Sequence, residues 1–310
     1  MQPAQCHLVP MAVPKGSATQ PSRRMPMLRH TVLAVATLFG GLVGAAGTGP
    51  AAAPREPVWQ VYAIRYATVP AFPVRDLVAG ADSMRTLDIA MMFWLLEGPD
   101  GRRVLVDAGF YREKFLDSWK PADFVRPDEA VRRFGLPPDS LTDLIVTHVH
   151  WDHLDGADLF PKARVWIQRE EYEYYVGDGG APAHEGIDSV DAGMLADLKK
   201  LGRVTLVGGD RQEIMPGVTV YTGGRHTFAS QYLGVRTAKG TVVIASDNVY
   251  LYENLDRHLP IAQTLDVKSN LAAQRRMRRI ATAERLIVPG HDLAVFSRFR
   301  RVAPGVVKIE

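Results

Sequence analysis

The stretch Thr147–Gly156, THVHWDHLDG, places His148, His150, Asp152 and His153 within six residues. Imidazole nitrogens and carboxylate oxygens at this density are a metal donor set, suited to zinc at ~2.0–2.2 Å. Iron, manganese and cobalt accept the same donors. In an extended segment, residues two apart point the same way, so His148 and His150 can grip one ion while Trp151 faces away. A turn then lets Asp152 and His153 open a helix and reach a second point from the other side. Four donors do not fill two ions. The rest must come from isolated His or Asp residues at other strand ends, and three fit: His226 in TGGRHTFAS, where Gly223 and Gly224 allow tight backbone passage, Asp247 at the end of the apolar run TVVIASDN, and His291 in IVPGHD. A carboxylate at Asp247 can bridge two ions ~3.5–4 Å apart, close enough to share one water. A lone histidine at a loop start is usually structural. Five of the nine histidines in these contexts, in one chain order around H-x-H-x-D-H, make a metal signature.

The elements that must position these donors alternate between short strands and helices. Strands are expected at Trp59–Tyr66, Ile89–Leu96, Arg103–Asp107, Leu144–Thr147, Val165–Gln168, Val204–Val207, Val218–Thr222, Leu233–Thr237, Thr241–Ser246 and Leu286–Val288. Helices are expected at Tyr111–Trp119, Asp128–Phe134, Arg169–Tyr175 (or a lid), Asp191–Leu201 and Asn270–Arg285. His148, His226, Asp247 and His291 each follow a strand, where a rigid scaffold presents reactive groups. Helices outside two inner sheets would gather these junctions along one rim.

With 46% hydrophobic and 23% charged residues over 310 positions, the composition is that of a globular chain. The charge is unevenly placed, since residues 1–55 hold no acid. Arg23, Arg24 and Arg29 precede the apolar run Thr31–Ala46, TVLAVATLFGGLVGAA, and small residues follow. Basic, then apolar, then small is the layout of a secretory signal over residues 1–46, with translation starting at Met1, Met25 or Met27. The run is shorter than the ~20 residues of a spanning helix, so no stable membrane span is expected after its removal. Export to the periplasm or beyond is the expectation, with 47–56 as a linker and 57–310 as one hydrolase domain. Loss of residues 1–46 removes four bases (Lys15, Arg23, Arg24, Arg29) and no acid from a chain of net charge +3, leaving −1. A near-neutral protein has no general electrostatic reason to bind nucleic acid. Cys6, the only cysteine, leaves with the signal, so neither a disulfide nor a thiolate ligand is available to the remainder.

The donor pattern resembles the metallo-β-lactamase superfamily. The resemblance runs from VLVDAG (Val104–Gly109) through THVHWDH and GGRHT to ASD and VPGHD. It implies an α/β fold, the four-layer αββα sandwich, with a dinuclear site at one edge and two Zn²⁺ (or Fe, Mn or Co) per chain. By that resemblance His148, His150 and His226 hold the first metal, Asp152, His153 and His291 the second, and Asp247 bridges. Asp107 matches an aspartate that supports the loops beneath the metals. Fold alone does not decide the chemistry. True β-lactamases of this fold commonly place Cys or Ser where Asp247 stands, the oxygen-reducing relatives replace a motif histidine that is intact here as His150, and the nucleic-acid-cleaving relatives need a basic channel or an extra domain. A closer similarity, to the N-acyl homoserine lactone lactonases, lies in SDNVYLYENL (Ser246–Leu255) and PGHDLAVFSRF (Pro289–Phe299). Those enzymes carry a tyrosine three residues after the bridging aspartate, here Tyr250; its other reading is an aromatic packed at a strand end.

The implied reaction is lactone opening, with Tyr250 at the developing oxyanion and Asp152 carrying the proton to the leaving oxygen. Another lactone, an ester, a phosphotriester or a β-lactam fits the same site, and a non-catalytic metal-binding protein is the reading from another class. A homodimer is compatible with the sequence. Met91, Met92, Phe93 and Trp94, or Tyr172, Tyr174 and Tyr175, can cover an acyl chain, but plain packing is the favoured account of any single one. Arg275, Arg276, Arg278 and Arg279 read as a solvated helix face, and His184 and His258 as surface residues.

Overall fold

A computed structural model of the chain describes residues 58–310. The signal and linker expected over 1–56 lie outside the described residues. Thirteen strands are formed: β1 (Gln60–Pro73), β2 (Thr86–Glu97), β3 (Arg103–Val106), β4 (Asp143–Ile145), β5 (Arg164–Gln168), β6 (Val204–Val207), β7 (Gln212–Met215), β8 (Val218–Thr222), β9 (Gln231–Thr237), β10 (Gly240–Ser246), β11 (Ile287–Pro289), β12 (Arg300–Ala303) and β13 (Val306–Ile309). The helices are α1 (Glu113–Trp119), α2 (Pro127–Arg133), α3 (Trp151–Leu154), α4 (Arg169–Tyr175), α5 (Ser189–Lys200), α6 (Tyr252–Asp256), α7 (Val267–Ile280) and α8 (Val295–Arg298). Among the described residues no helix is long and apolar enough to cross a membrane.

The strands form an eight-stranded sheet, β12-β13-β1-β2-β3-β4-β5-β6, and a five-stranded sheet, β11-β10-β9-β8-β7. Strands β3 to β6 run parallel, as do β10 and β11, while the other pairs are antiparallel. The pleat sorts residues between two cores. Tyr62, Ile64, Met91, Phe93, Leu95, Leu105 and Leu144 face a core shared with helices α1 to α5. Val61, Ala63, Met92, Trp94, Leu96, Val104 and Val106 face a second core with β8 to β11 and α7. This double burial explains the uninterrupted apolar run Ile89–Leu96, because a strand covered on both faces has no polar side to alternate with.

It also decides between the two accounts of Met91 to Trp94, in favour of packing. Met91, Met92, Phe93 and Trp94 are all at most 2% exposed and are core, with no surface left to cover an acyl chain. Tyr172 and Tyr175 are buried too, and only Tyr174 is half exposed, stacked between His184 and Phe228.

Most expected elements form, with shifted ends. Helix α7 starts at Val267, where the Asp266 side chain accepts from Ser269 N, and stops at Ile280, short of the expected Arg285. Strands β7, β12 and β13 were not expected; each is four residues long, β7 and β12 are half polar, and all take their strand form from neighbours already in place. The loop leaving β3 is anchored by Asp155, whose Oδ2 accepts from the peptide nitrogens of Tyr111 (2.7 Å) and Arg112 (3.1 Å). The Arg112 guanidinium pairs with Asp155, Asp188 and Asp191, joining that loop to the segment after α3 and to α5.

Truncating Phe93, fully buried beneath Tyr66, should lower the unfolding free energy by about 3–5 kcal/mol. Met84→Ala, at a side chain 84% exposed, should change it by less than about 0.5 kcal/mol. Urea titration of both variants checks the contrast, and equal losses would refute it.

Candidate metal centre

Each donor stands just beyond a strand's end. His148 and His150 follow β4, His226 follows β8, Asp247 follows β10 and His291 follows β11, while Asp152 and His153 lie on α3. The parallel strands deliver their carboxyl ends to one edge, the usual side for ligands in such sheets. The structure brings all seven residues together in two groups: His148, His150, His226 and Asp247, and Asp152, His153, Asp247 and His291. Within each group the donor atoms lie within 4.8 Å of one another.

The separations match coordination geometry. Bonds of ~2.1 Å around a tetrahedral ion put donors ~3.4 Å apart. Asp247 Oδ2 lies 3.7 Å from His148 Nε2 and 3.4 Å from His226 Nε2, while its Oδ1 lies 3.3 Å from His153 Nε2 and 3.1 Å from His291 Nε2. One carboxylate thus turns one oxygen to each group. Asp152 Oδ2 is 3.3 Å from His153 Nε2 and 3.6 Å from His291 Nε2. His150 presents Nδ1, 2.8 Å from Nε2 of His226.

Every other histidine is held by its outward nitrogen. His148 Nδ1 meets Thr147 Oγ1 (3.0 Å), His153 Nδ1 meets Asp107 Oδ2 (2.8 Å), His226 Nδ1 meets Gln263 O (2.9 Å) and His291 Nδ1 meets Ala90 O (3.0 Å). A proton on each Nδ1 leaves the Nε2 lone pair facing inward. Asp107 also accepts from Thr147 N (2.7 Å), Thr147 Oγ1 (2.9 Å) and Ser246 Oγ (3.2 Å), so it ties the ends of β4 and β10 beneath the donors.

A divalent ion fits this set on the structure's own terms. His148 Nε2, His153 Nε2 and Asp247 Oδ1 are buried without a hydrogen-bond partner. Orphaned buried donors are costly and need a reason, and a cation supplies one. Burial holds the His148, His150 and His226 imidazoles below their ordinary value, with His150 at about 3, so these rings are neutral. Burial opposes charge on His153 and His291 too, but Asp247, with Asp152 beside it, outweighs it and raises both. Against the same burial, His153 holds Asp152 below the usual carboxylate range, and His153 with His291 holds Asp247 well below it. Neutral imidazoles and ionised carboxylates are the forms that bind a cation, so the first group is ready as it stands, whereas His153 and His291 each release a proton when an ion enters the second.

Tyr250 lies over the site, its hydroxyl 3.2 Å from His226 Nδ1. That nitrogen gives its proton to Gln263 O, so the phenolic hydrogen is free to donate elsewhere. Burial raises the phenol well above its ordinary value, which keeps the proton on. Beside the site Trp151 is half exposed among rings: Phe115 (4.6 Å between centroids), Phe110 (4.6 Å) and Trp119 (5.0 Å), with Phe72 stacked on Trp119 at 5.9 Å. This wall was not found from sequence, because its members come from three separate segments. Thr147, Ser246, Ala90 and Gln263 were missed for a similar reason, since two of them act through the backbone. Glu171 was read as part of a lid helix. It is buried, and burial pushes its carboxyl up to about 7.

Residues 92–291 match the family model of the metallo-beta-lactamase superfamily. The chain belongs to that superfamily, and it is a hydrolase of it. An N-acyl homoserine lactonase of a Bacillus species is 28% identical over 222 residues, covering 67% of this chain and 83% of the relative. The N-acyl homoserine lactonase AttM of Azorhizobium caulinodans is 26% identical over 247 residues, covering 70% and 87%. A solved N-acyl homoserine lactone hydrolase, with the product N-hexanoyl-L-homoserine at its catalytic metal center, superposes at TM-score 0.65 and 23% identity over 80% of this chain and 98% of that one. The dizinc quorum-quenching lactonase AidC superposes at 0.59 and 13% identity, covering 83% and 95%. These superpositions establish the fold expected from the sequence, the αββα sandwich.

Gly290 lies against the bridging carboxylate: a Cβ there would sit 2.6 Å from Asp247 Oδ1 and 3.0 Å from Ser246 O. Gly290→Ala should lower stability by about 1–3 kcal/mol through overpacking. Chemical denaturation checks it, and unchanged stability would mean that the carboxylate yields freely.

Proposed function

We propose that the protein hydrolyses the ring ester of N-acyl homoserine lactones with two divalent cations, zinc first among them. The observation that carries the reading is the pair of donor groups sharing Asp247, one oxygen to each, beneath a protonated tyrosine. The lactonase relatives support the choice of substrate. His148, His150 and His226 would hold one ion, Asp152, His153 and His291 the other, with Asp247 between them. A bound pair supplies a water acidic enough to attack at neutral pH, and electrophilic help to the ester carbonyl.

The chain's own residues do the rest. The Tyr250 hydroxyl donates to the carbonyl oxygen as negative charge gathers on it, a role for which its fixed position and held proton suit it. Asp152, with one carboxylate oxygen turned to the second group, carries a proton to the ring oxygen that leaves. Trp151, between His150 and Asp152 in the chain, begins the aromatic wall that runs through Trp119 to Phe72. An acyl chain laid along that wall loses its water without asking for a hydrogen bond. The basic, apolar, small layout of residues 1–46 supports export of the enzyme to the periplasm or beyond.

Ring opening releases acid, so titration in weakly buffered solution follows it directly. The metal-loaded protein should acidify N-acyl homoserine lactones faster than phenyl esters, phosphotriesters or β-lactams; preference for any of these would replace the reading. Tyr250→Phe should cut turnover by about 10²–10³ with metal content unchanged. Undiminished lactone turnover in that variant would take the phenol out of the reaction. Asp247→Ala should lose metal and activity together, by elemental analysis beside the rate; full metal content would show the bridge misassigned.

A further inference from the structure

Glu171 has no part in the chemistry above, yet it is fully buried and accepts three hydrogen bonds. Its Oε1 accepts from Thr227 Oγ1 (2.6 Å) and from Val149 N (3.2 Å), and its Oε2 accepts from Ala229 N (2.6 Å). Among the described residues no lysine or arginine forms an ion pair with it, although the charge of nearby Arg225 favours its ionised form. All three partners are donors, and they come from two segments. Val149 is the residue between His148 and His150, while Thr227 and Ala229 lie one and three residues beyond His226. These are the segments that supply all three imidazoles of the first group. Across the joint they form, His150 Nδ1 and His226 Nε2 stand 2.8 Å apart. None of the three partners lies on α3 or after β11, which supply Asp152, His153 and His291.

We propose that Glu171 is a positioning residue for the first metal group: by clamping the β4 exit to the β8–β9 loop, it sets the spacing of His148 and His150 against His226, and with it that group's affinity for a divalent cation. This rests on the reading that the four donors hold a metal. The clamp has to be a carboxylate. A glutamine of the same shape has one acceptor oxygen and an NH₂ that would face a peptide N–H or a threonine hydroxyl, so at least one bond is lost and donors are set against each other. The fixed end of the clamp is α4, which starts directly from β5, a strand flanked by parallel neighbours β4 and β6. Groups that orient ligands in this way typically govern 10–100-fold in metal affinity.

The test uses the full chain and Zn²⁺ itself, in backgrounds that retain one group at a time. In His291→Ala, which leaves the first group whole, Glu171→Gln should weaken Zn²⁺ binding about 10–100-fold, read by competition with a chromophoric chelator. In His148→Ala, which leaves the second group with Asp247, the same change should leave Zn²⁺ binding unaltered. Thr227→Val removes the 2.6 Å bond alone and keeps the carboxylate. It should weaken the first group by a smaller factor, and the two changes combined should fall short of the product of their separate effects. If Glu171→Gln does not fold, the Thr227→Val contrast between the two backgrounds decides the matter. Equal weakening in both backgrounds, or none in either, overturns the clamp while the metal reading stands. A wild-type chain that takes up no Zn²⁺ overturns the metal reading, and the clamp with it.

Discussion

Four imidazole rings can turn lone pairs toward one small space only if something outside that space holds each ring by its other nitrogen. That constraint organises the centre. Thr147, Asp107, Gln263 and Ala90 each take one Nδ1, and the four come from four different stretches of chain. The gain from any single outward bond is modest, about 0.5–1.5 kcal/mol. Its larger effect is to remove the competing tautomer and rotamer, so that Nε2 has no alternative but to face inward. The unpartnered nitrogens of His148 and His153 are the consequence, and they make the interior a place where a cation lowers the free energy more than a protein group does.

The outer ring of acceptors is in turn a product of the two sheets. Parallel β3 to β6 and parallel β10 with β11 end on the same edge, so the loops leaving them meet there. Asp107, at the end of β3, holds Thr147, Ser246 and His153 at once and thereby links the large sheet to the small one. His291 N donates to Tyr250 O and Ala90 N donates to His291 O, which stitches the loop after β11 to β2 on one side and to the loop after β10 on the other. A donor set spread over many chain positions thus behaves as one rigid unit. Two cores either side of the large sheet supply the rigidity, and strands β1 to β4, with residues in both, are what they share.

Electrostatics divides the labour within the unit. The three-histidine group is neutral through burial, whereas the second group collects carboxylate charge and raises its two histidines. An asymmetric pair of this kind suits a reaction in which one side receives a polarised carbonyl and the other a departing oxygen. The Tyr250 phenol, kept protonated by the same burial, has a ring of each group beside it, His226 at 5.4 Å and His291 at 5.8 Å between centroids. Aromatic rings line the neighbouring wall, with Arg112 and Lys114 against the Phe115 ring, so an apolar chain can lie along it beside the polar donor groups.

Much of this could be read in the sequence. H-x-H-x-D-H is local, and the three distant donors each follow a segment recognisable as a strand, directly or across a short glycine turn, so type and order alone marked them. Continuous apolar runs likewise marked β2, β4, β10 and β11. Other features were hidden because they depend on pairing between distant segments. The four-residue strands β7, β12 and β13 become strands only beside a partner, and the aromatic wall assembles from three places. Met91 to Trp94 look available in one dimension and are sealed in three. Glu171 is the sharpest case: a glutamate in the first turn of a helix ordinarily faces water, and only the packing of α4 behind two donor-bearing loops turns it inward. The chain's chemistry was therefore set by residue type and local spacing, which survive in a one-dimensional string. Its geometry was set by which loops share a sheet edge, because hydrogen bonds between distant segments exist only once the strands have paired.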